Sequence, residues 1–248
     1  MSTAAFSPYL RLELKRTIRN PRAILFTAAI PLMMYVLFSS TGSGGPDTPL
    51  EVHRAVLASM VAYGAIGGAL LASGPPLATE RATGWLRQLS ATPLPANAAV
   101  IAKIAVCLTL SAFGAAIVGT VGAVTGAHLG IGTLVLLVVA MTLGAVCFGM
   151  LGLIYGASIK RPDTAQGATI LTYLTMSAIG GLWVPSDQFP AWLESISKVL
   201  PSHAVLEIGN AIVEGSAAPG GAIALLLVWT VVLAGIASVA WKRGIRAR

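Results

Sequence analysis

Residues that could carry out chemistry are few in this 248-residue chain and lie far apart. The three histidines, His53, His128 and His203, fall in separate segments, and no HExxH motif or other metal-ligand spacing occurs in the sequence. Ser158 follows Gly156-Ala157, but no histidine lies in a later apolar run to act as its base. The sequence therefore predicts no catalytic residue and no metal site.

Nucleotide chemistry is also missing from the chain itself. No GxxxxGK[ST] loop, whose backbone would cradle phosphates, is present. The net charge is +7, yet no basic stretch is interleaved with aromatic residues, so we expect no nucleic-acid partner. We expect this chain to bind no cofactor.

Composition points to the lipid bilayer. The chain is 56% hydrophobic and only 10% charged, whereas soluble domains carry about 25% charged residues. Six apolar runs are each about long enough for a transmembrane helix, and none contains Asp or Glu; Lys103 lies at the edge of its run. These runs predict an all-α integral membrane protein with six transmembrane helices: Ala23–Phe38, Ala55–Ala78, Lys103–Thr125, Thr133–Ile159, Ala165–Trp183 and Ala222–Trp241.

The basic residues orient these spans. When Lys and Arg are assigned to the segments between the runs, fourteen fall on one side of the membrane and two on the other. Because cytoplasmic segments retain positive charge, we expect both termini in the cytoplasm of a multi-pass protein of the bacterial inner (plasma) membrane.

Extramembrane segments show helical periodicity as well. Phe6–Arg19 has apolar and basic rows at i+4 spacing, which predicts an amphipathic helix lying at the membrane surface. In the loop Val184–Gly221 we predict two short outer helices, Pro190–Leu200 and His203–Glu214, with Ser202 as N-cap and Gly215 as the stop. These two helices either dip back into the membrane or cap the bundle.

The second loop holds a short amphipathic segment, from Glu80 to Leu89, that ends in a proline turn. It is either an interfacial helix anchored by Trp85 or a lever inserted into a soluble motor protein. The second interpretation fits the spans, because they have no carboxylate, histidine or lysine at mid-depth that could couple transport to an ion. Energy would then come from a partner on the cytoplasmic face.

Three stretches resemble the permease subunit of ABC type-2 exporters, the class that includes drug and antibiotic efflux permeases. The first is Glu13-Leu-Lys-Arg-Thr-Ile-Arg-Asn-Pro-Arg22, followed by a span with Pro31. The second is Glu80-Arg-Ala-Thr-Gly-Trp-Leu-Arg-Gln-Leu-Ser-Ala-Thr-Pro93. The third combines Gly181-Leu-Trp-Val-Pro185, Phe189-Pro-Ala-Trp-Leu193 and Leu200-Pro201.

The resemblance implies a single transmembrane domain over residues 1–248. Residues 1–22 would be an interfacial helix, 23–183 spans one to five, 184–221 the outer helices, 222–241 span six and 242–248 a cytoplasmic tail. It also implies two copies of a cytoplasmic ABC ATPase subunit carrying ATP and Mg²⁺, and a second permease copy or paralogue. The expected cargo is an amphipathic or hydrophobic drug, antibiotic or lipid-like molecule.

Roles for individual residues follow from the same resemblance. The coupling helix would contact the ATPase through Glu80, Arg81, Gly84, Trp85 and Arg87. The outer gate helices would include Phe189, Pro190, Trp192, Leu200 and Pro201. The substrate path would be lined by Met60, Tyr63, Tyr173 and Met176. Two alternatives stay open: an integral membrane enzyme of lipid metabolism, and a membrane anchor or sensor without transport.

Overall fold

The computed structural model describes residues 3–40, 50–85, 88 and 98–246, and every regular element within these ranges is helical. We number ten helices along the chain, of which α2 and α4 each include a wider π-helical turn. They are α1 (Thr3–Ile18), α2 (Pro21–Ile24, Leu25–Ala29 and Ile30–Ser40), α3 (Leu50–Ala82), α4 (Ala98–Gly122 and Ala123–Ala127), α5 (Ile131–Gly144), α6 (Val146–Ser158), α7 (Pro162–Ile179), α8 (Ala191–Ser197), α9 (Pro201–Glu214) and α10 (Gly220–Arg246).

Four helical segments are long and apolar enough to cross a membrane: Leu50–Ala82, Ala99–Ala127, Ile131–Ser158 and Gly220–Trp241. They correspond to the second, third, fourth and sixth predicted spans. The apolar part of α2, Leu25–Ser39, is shorter, and α7 begins with polar residues such as Asp163 and Gln166. The described structure thus confirms a helical, membrane-type protein, while the count of six spans stays a prediction.

The fourth predicted span is not one continuous helix. It consists of α5 and α6, which meet at Ala145, whose backbone angles (φ −76°, ψ −7°) depart from regular helix. The Ala145 amide still donates to the Met141 carbonyl, so α6 continues directly from α5. A break of one residue leaves the apolar pattern unchanged, and the sequence alone therefore could not show it.

Helix α3 is the centre of the bundle. It packs against α4, α6, α7 and α9, and nearly all of its residues between Leu57 and Gly74 are buried. A helix that is apolar on all sides must be surrounded by other helices or by lipid. Here the other helices surround it.

Glycines bring α3 close to its neighbours. A Cβ atom added to Gly68 would lie 2.7 Å from the Ser111 amide nitrogen of α4, and one added to Gly156 of α6 would lie 2.6 Å from the Gly74 carbonyl oxygen. Contacts this short exclude a methyl group, as is usual where small residues let membrane helices approach. The GxxxG pairs Gly64/Gly68 and Gly152/Gly156 are therefore packed inside one chain.

Helix α9 enters the bundle from the side where α5 begins. Val205 packs on Gly144, the last residue of α5, and Gly209 lies next to Ala58 of α3. Gly144 lies about 20 Å along the axis of α5 from Ile131, the first residue of that helix, so α9 reaches well into the bundle. This supports outer helices that dip back into the membrane over helices that cap the bundle.

The predicted N-cap of α9 is wrong, whereas its predicted end is right. Leu200 occupies the cap position with extended backbone, and Pro201 is the first helical residue, a position at which the missing amide proton of proline costs nothing. The Ser202 side chain instead packs against Gly180. Gly215 ends the helix with a left-handed backbone (φ 75°).

Gly68→Ala tests the close packing of α3. We expect it to lower the free energy of unfolding by about 1–3 kcal/mol, because the new methyl group meets backbone atoms that cannot rotate away. The matched control is Gly167→Ala in α7, where an added Cβ meets nothing within 4 Å. There we expect no loss, or a gain of about 0.5–1 kcal/mol from helix propensity. Thermal unfolding in mild detergent measures both; equal stability of the two variants would contradict the packing.

Candidate functional site

Three charged side chains are buried together near one end of the bundle. Glu13 belongs to α1, Glu80 to the last turn of α3 and Lys103 to the first turns of α4, and each is at most 2% exposed. We call this group the charge cluster, and the end of the bundle where it lies the basic end. The cluster joins three helices that are separated in sequence.

Lys103 lies between the two carboxylates. Its Nζ atom donates to Oε2 of Glu13 at 2.9 Å and to Oε1 of Glu80 at 2.5 Å. Arg16, about half exposed, lies 3.8 Å from the Glu13 carboxylate and 3.7 Å from that of Glu80. Removing ions from water costs several kcal/mol each unless attraction and hydrogen bonds offset it, so such groups tolerate little displacement.

The sequence of α1 explains how Glu13 comes to be buried. Tyr9, Glu13 and Thr17 recur at i+4 and form the buried row of the helix, flanked by the half-buried Leu10 and Leu14. Of the apolar row predicted from Phe6 to Ile18, Leu10 and Leu14 thus lie beside the centre of the packed face, and the side chains of Phe6 and Ile18 lie outside the described part of the chain. The basic row is exposed as expected, at Arg11, Lys15 and Arg19.

Tyr9 and Trp85 surround the cluster. Burial, together with the carboxylates of Glu13 and Glu80, raises the pKa of Tyr9 well above its usual range, so the phenol stays protonated. The Arg16 guanidinium lies 6.0 Å from the centre of the Trp85 ring, a separation at which a cation is attracted to the ring face. Arg16 thereby links the cluster to the residues that follow α3.

The turn after α3 is made by Thr83 and Gly84. Gly84 has a left-handed backbone (φ 74°), which ends the helix without the strain that a side chain would add. Trp85 and Gln88 are helical, and the Gln88 amide donates to the Gly84 carbonyl at 3.2 Å. The predicted helix from Glu80 to Leu89 therefore starts after Gly84, because Glu80 and Arg81 continue α3.

The predicted ATPase-contact residues have different surroundings. Glu80 is buried in the charge cluster, and Arg81 donates from NH1 to the Gly156 carbonyl of α6 at 3.0 Å. Gly84 and Trp85 are partly exposed, and Arg87 lies outside the described residues. Contact with an ATPase stays a prediction for all five, and the geometry gives Glu80 a positioning role within its own chain.

A polar cleft lies beside the cluster. It has a volume of about 340 Å³ and opens between α1, α3 and α7, with Glu13, Arg16, Glu80, Gln166 and Ile170 among its lining residues. Pro75 and Pro76 of α3 also line it. Since proline has no amide proton, the carbonyls of Leu71 and Ala72 lose their helical donors, and α3 is weakened one to two turns before Glu80.

The predicted outer gate residues lie at the opposite end, around α8 and α9. Pro190 and Trp192 are exposed, Phe189 and Leu200 are partly buried, and Pro201 is buried. The loop between α8 and α9 is tied to the bundle by Trp229 of α10, whose indole nitrogen donates to the Val199 carbonyl at 3.0 Å. The five residues follow one another along the chain rather than forming one cluster, and their gating role is untested.

Most of the predicted path residues are core residues in this conformation. Met60, Tyr63 and Tyr173 are at most 1% exposed, and Met176 is partly exposed. The rings of Tyr63 and Tyr173 stack 4.4 Å apart, and the Tyr173 hydroxyl donates to the Tyr63 carbonyl at 3.0 Å. These residues could line a path only after α3 and α7 separate, so this role also stays a prediction.

One arrangement bears on the open alternative of a membrane enzyme. Ser197 Oγ lies 3.4 Å from Nδ1 of His203, whose Nε2 lies 3.8 Å from Glu207. The order serine, histidine and carboxylate is that of a hydrolase triad. Ser197, however, is fully buried between α8 and α9, so no substrate carbonyl reaches it. Among the described residues, no three His, Cys, Asp or Glu side chains are grouped to hold a metal ion.

Sequence reasoning missed the charge cluster. Lys103 was counted as a cytoplasmic edge charge, and Glu13 as part of a motif without a role. One signal could have found the cluster, because a lysine inside an apolar helical run needs a carboxylate partner. It would not have selected Glu13 and Glu80, which lie 90 and 23 residues away.

The long apolar helices and the all-helical architecture of the described residues define a multi-pass membrane protein. The ABC-2 type transporter family matches residues 6–213, and the chain belongs to this family. A relative from Bacillus subtilis (strain 168), named putative transport permease YvfS, is 25% identical over 195 residues, which cover 77% of this chain and 78% of the relative. Family membership implies an ABC ATPase as partner.

Lys103→Met tests whether the charge cluster is electrostatically essential. With the ammonium gone, two buried carboxylates face each other, and we expect a loss of about 3–5 kcal/mol in the free energy of unfolding. The triple variant Glu13→Gln, Lys103→Met and Glu80→Gln removes all three charges at similar volume, and we expect it to recover most of that loss.

Lys198→Met is the matched control, because its ion pair with Glu194 is exposed and contributes about 0–1 kcal/mol. Thermal unfolding of the unaltered chain and of these three variants compares the values. A triple variant no more stable than Lys103→Met would contradict the electrostatic reading of the cluster.

Proposed function

We propose that this chain is the transmembrane permease subunit of an ATP-driven exporter in the bacterial inner membrane, with both termini in the cytoplasm. It would move an amphipathic or hydrophobic molecule, such as a drug, an antibiotic or a lipid-like compound, out of the cytoplasm or the inner leaflet. Family membership and the resemblance to a transport permease support a transporter. The observation that carries the ATP-driven mechanism is the charge cluster, which lies directly behind the exposed turn at Thr83–Gly84.

Force would enter at that turn. We infer that the segment beginning with Trp85 contacts the ATPase, and that ATP binding draws two ATPase subunits together and displaces this segment. Glu80 is one helical turn before Gly84 and is held by Lys103 and, through it, by Glu13. Displacement of the turn would therefore move the end of α3, the start of α4 and α1 as one unit.

The two prolines of α3 suit this motion. Pro75 and Pro76 interrupt the hydrogen bonds of the helix between the charge cluster and the buried segment that ends at Gly74. A helix bends most readily at such a position. The basic end could then turn while the glycine contacts of α3 with α4 and α6 stay in place.

An external energy source also fits the distribution of charge. Among the described residues, the buried Asp, Glu, Lys and Arg side chains are Glu13, Glu80 and Lys103, and all three lie at the basic end. The buried imidazole of His203 lies in α9, next to Ser197 and Glu207. Carriers driven by protons or cations keep an ionisable group near mid-depth. The cargo path would form between this chain and a second permease copy or a paralogue, once α3 and α7 separate.

The test is co-expression with an ABC ATPase subunit of the same organism, followed by purification through a tag on this chain. We expect the ATPase to co-purify and to hydrolyse ATP. Trp85→Ala should weaken the complex by about thirtyfold, because a buried tryptophan anchor is worth about 2 kcal/mol or more at an interface. Trp192→Ala, on the opposite end of the bundle, is the control and should leave binding unchanged.

The neutral triple variant of the charge cluster separates contact from transmission. It keeps Trp85, so we expect ATPase binding to be retained, while cargo no longer stimulates ATP turnover. If this chain purifies without any ATPase in several mild detergents, or if the triple variant transports normally, the proposed mechanism is wrong.

A further inference from the structure

A second feature of the basic end lies beside the last turn of α3. A groove of about 720 Å³ runs between α6 and α10 near their C-terminal ends. Its walls are apolar, with Ile154 and Ala157 from α6 and Val232, Ile236 and Val239 from α10. Arg81, at the end of α3, lines it as well.

The groove faces the surroundings of the bundle. Val231, Val232, Ile236 and Val239 of α10 are each between 47% and 71% exposed. Both α10 and the combined α5–α6 segment are long and apolar enough to span a membrane, so lipid chains are the solvent of this surface. Gly235 adds depth, because a Cβ atom placed there would meet nothing within 4 Å.

The mouth of the groove is basic. The Arg81 guanidinium is held in place by its donation to the Gly156 carbonyl of α6 at 3.0 Å. Exposed Lys160 and Arg161 follow directly after α6.

We propose that this groove binds one anionic phospholipid of the adjoining leaflet, with the headgroup phosphate at Arg81 and an acyl chain along Val232, Ile236 and Val239. A guanidinium is a strong partner for a phosphate oxygen, particularly where water is scarce. Basic pockets between membrane helices on the positively charged side are typical places for such headgroups. The site needs neither the ATPase nor the cargo, and goes beyond the proposed function.

The length of the groove agrees with an acyl chain. Residues 231–240 of α10 cover about 14 Å along the helix axis, which is close to one leaflet of a hydrocarbon core about 30 Å thick. The charged group and the apolar wall therefore stand at the depths at which a phospholipid presents its phosphate and its chains. A free phosphate ion would contact the charged group but not the apolar wall.

Native mass spectrometry of the full chain in mild detergent tests the proposal. The probes are phosphatidylglycerol and phosphatidylcholine with identical acyl chains, each added at the same concentration. We expect one phosphatidylglycerol per chain to stay bound at activation energies that remove phosphatidylcholine. Arg81→Gln should lower phosphatidylglycerol occupancy by about tenfold or more, the fold-change expected for loss of a charge-assisted hydrogen bond.

Gly235→Phe provides an independent variant. A Cβ atom added there would meet nothing within 4 Å, so the backbone accepts a side chain whose ring would occupy the groove. Replacement of a helical glycine does not weaken α10. We expect it to remove the bound phosphatidylglycerol. The matched control is Ala224→Phe, which adds the same ring at an exposed position of α10 outside the groove and should leave occupancy unchanged.

Four results would overturn the proposal. The first is equal retention of phosphatidylcholine and phosphatidylglycerol, and the second is unchanged occupancy in both groove variants. The third is displacement of the lipid by glycerol 3-phosphate at the same concentration, which would show that the apolar wall contributes nothing. The fourth is a lipid-free dimer that Gly235→Phe dissociates, since the groove would then be an interface between copies. None of these results depends on ATPase binding, so the proposed function is tested separately.

Discussion

The position of Lys103 between Glu13 and Glu80 is the constraint on which the basic end of the bundle depends. Three ions taken out of water are stable only while their mutual distances stay near hydrogen-bond length. Because each belongs to a different helix, the cluster leaves α1, α3 and α4 one common arrangement at this end. It also explains why α1, whose sequence suggests a surface helix, buries its single carboxylate, Glu13.

The rest of α3 is held in another way. Around Gly64, Gly68 and Gly74 the helix touches its neighbours through backbone atoms, and contacts of that kind allow neither rotation nor separation without a large loss of packing. Between this tightly packed segment and the charge cluster lie Pro75 and Pro76. The chain thus has two rigid parts of α3 with a weaker turn between them, which is the arrangement expected of a helix that transmits displacement by bending.

Helices and their ends were largely predictable from the sequence. Apolar runs with no acidic residue located the four long segments, and Gly215 marked the end of α9 because glycine adopts a left-handed backbone without strain. The helix predicted from Glu80 to Leu89 ran through Gly84, where the structure has the turn after α3. Pro201 could have corrected the start of α9, since proline favours the first helical position over the one before a cap. The break at Ala145 had no signal in its residue type.

The sequence could not predict which residues of different helices contact one another. Periodicity assigns a residue to a face of its own helix, but it does not say which other helix covers that face. Glu80 illustrates this limit, because nothing in its motif indicates that its carboxylate is bonded to Lys103 of α4. Its predicted contact with the ATPase stays a prediction. Arg81, also predicted to contact the ATPase, donates to the Gly156 carbonyl of α6, and periodicity does not predict that bond.

The central claim is that the charge cluster makes α1 and the end of α3 move as one unit during the ATP cycle. The most direct measurement is the distance between spin labels at Arg11 of α1 and Thr83 after α3, both exposed, by double electron–electron resonance in the complex with the ATPase. Cys107 and Cys147, which are buried, would first be replaced by alanine. The account predicts the same distance with and without bound ATP, and a distance that varies once the cluster is neutralised. A change of several ångströms between the two nucleotide states of the otherwise unaltered chain would contradict it.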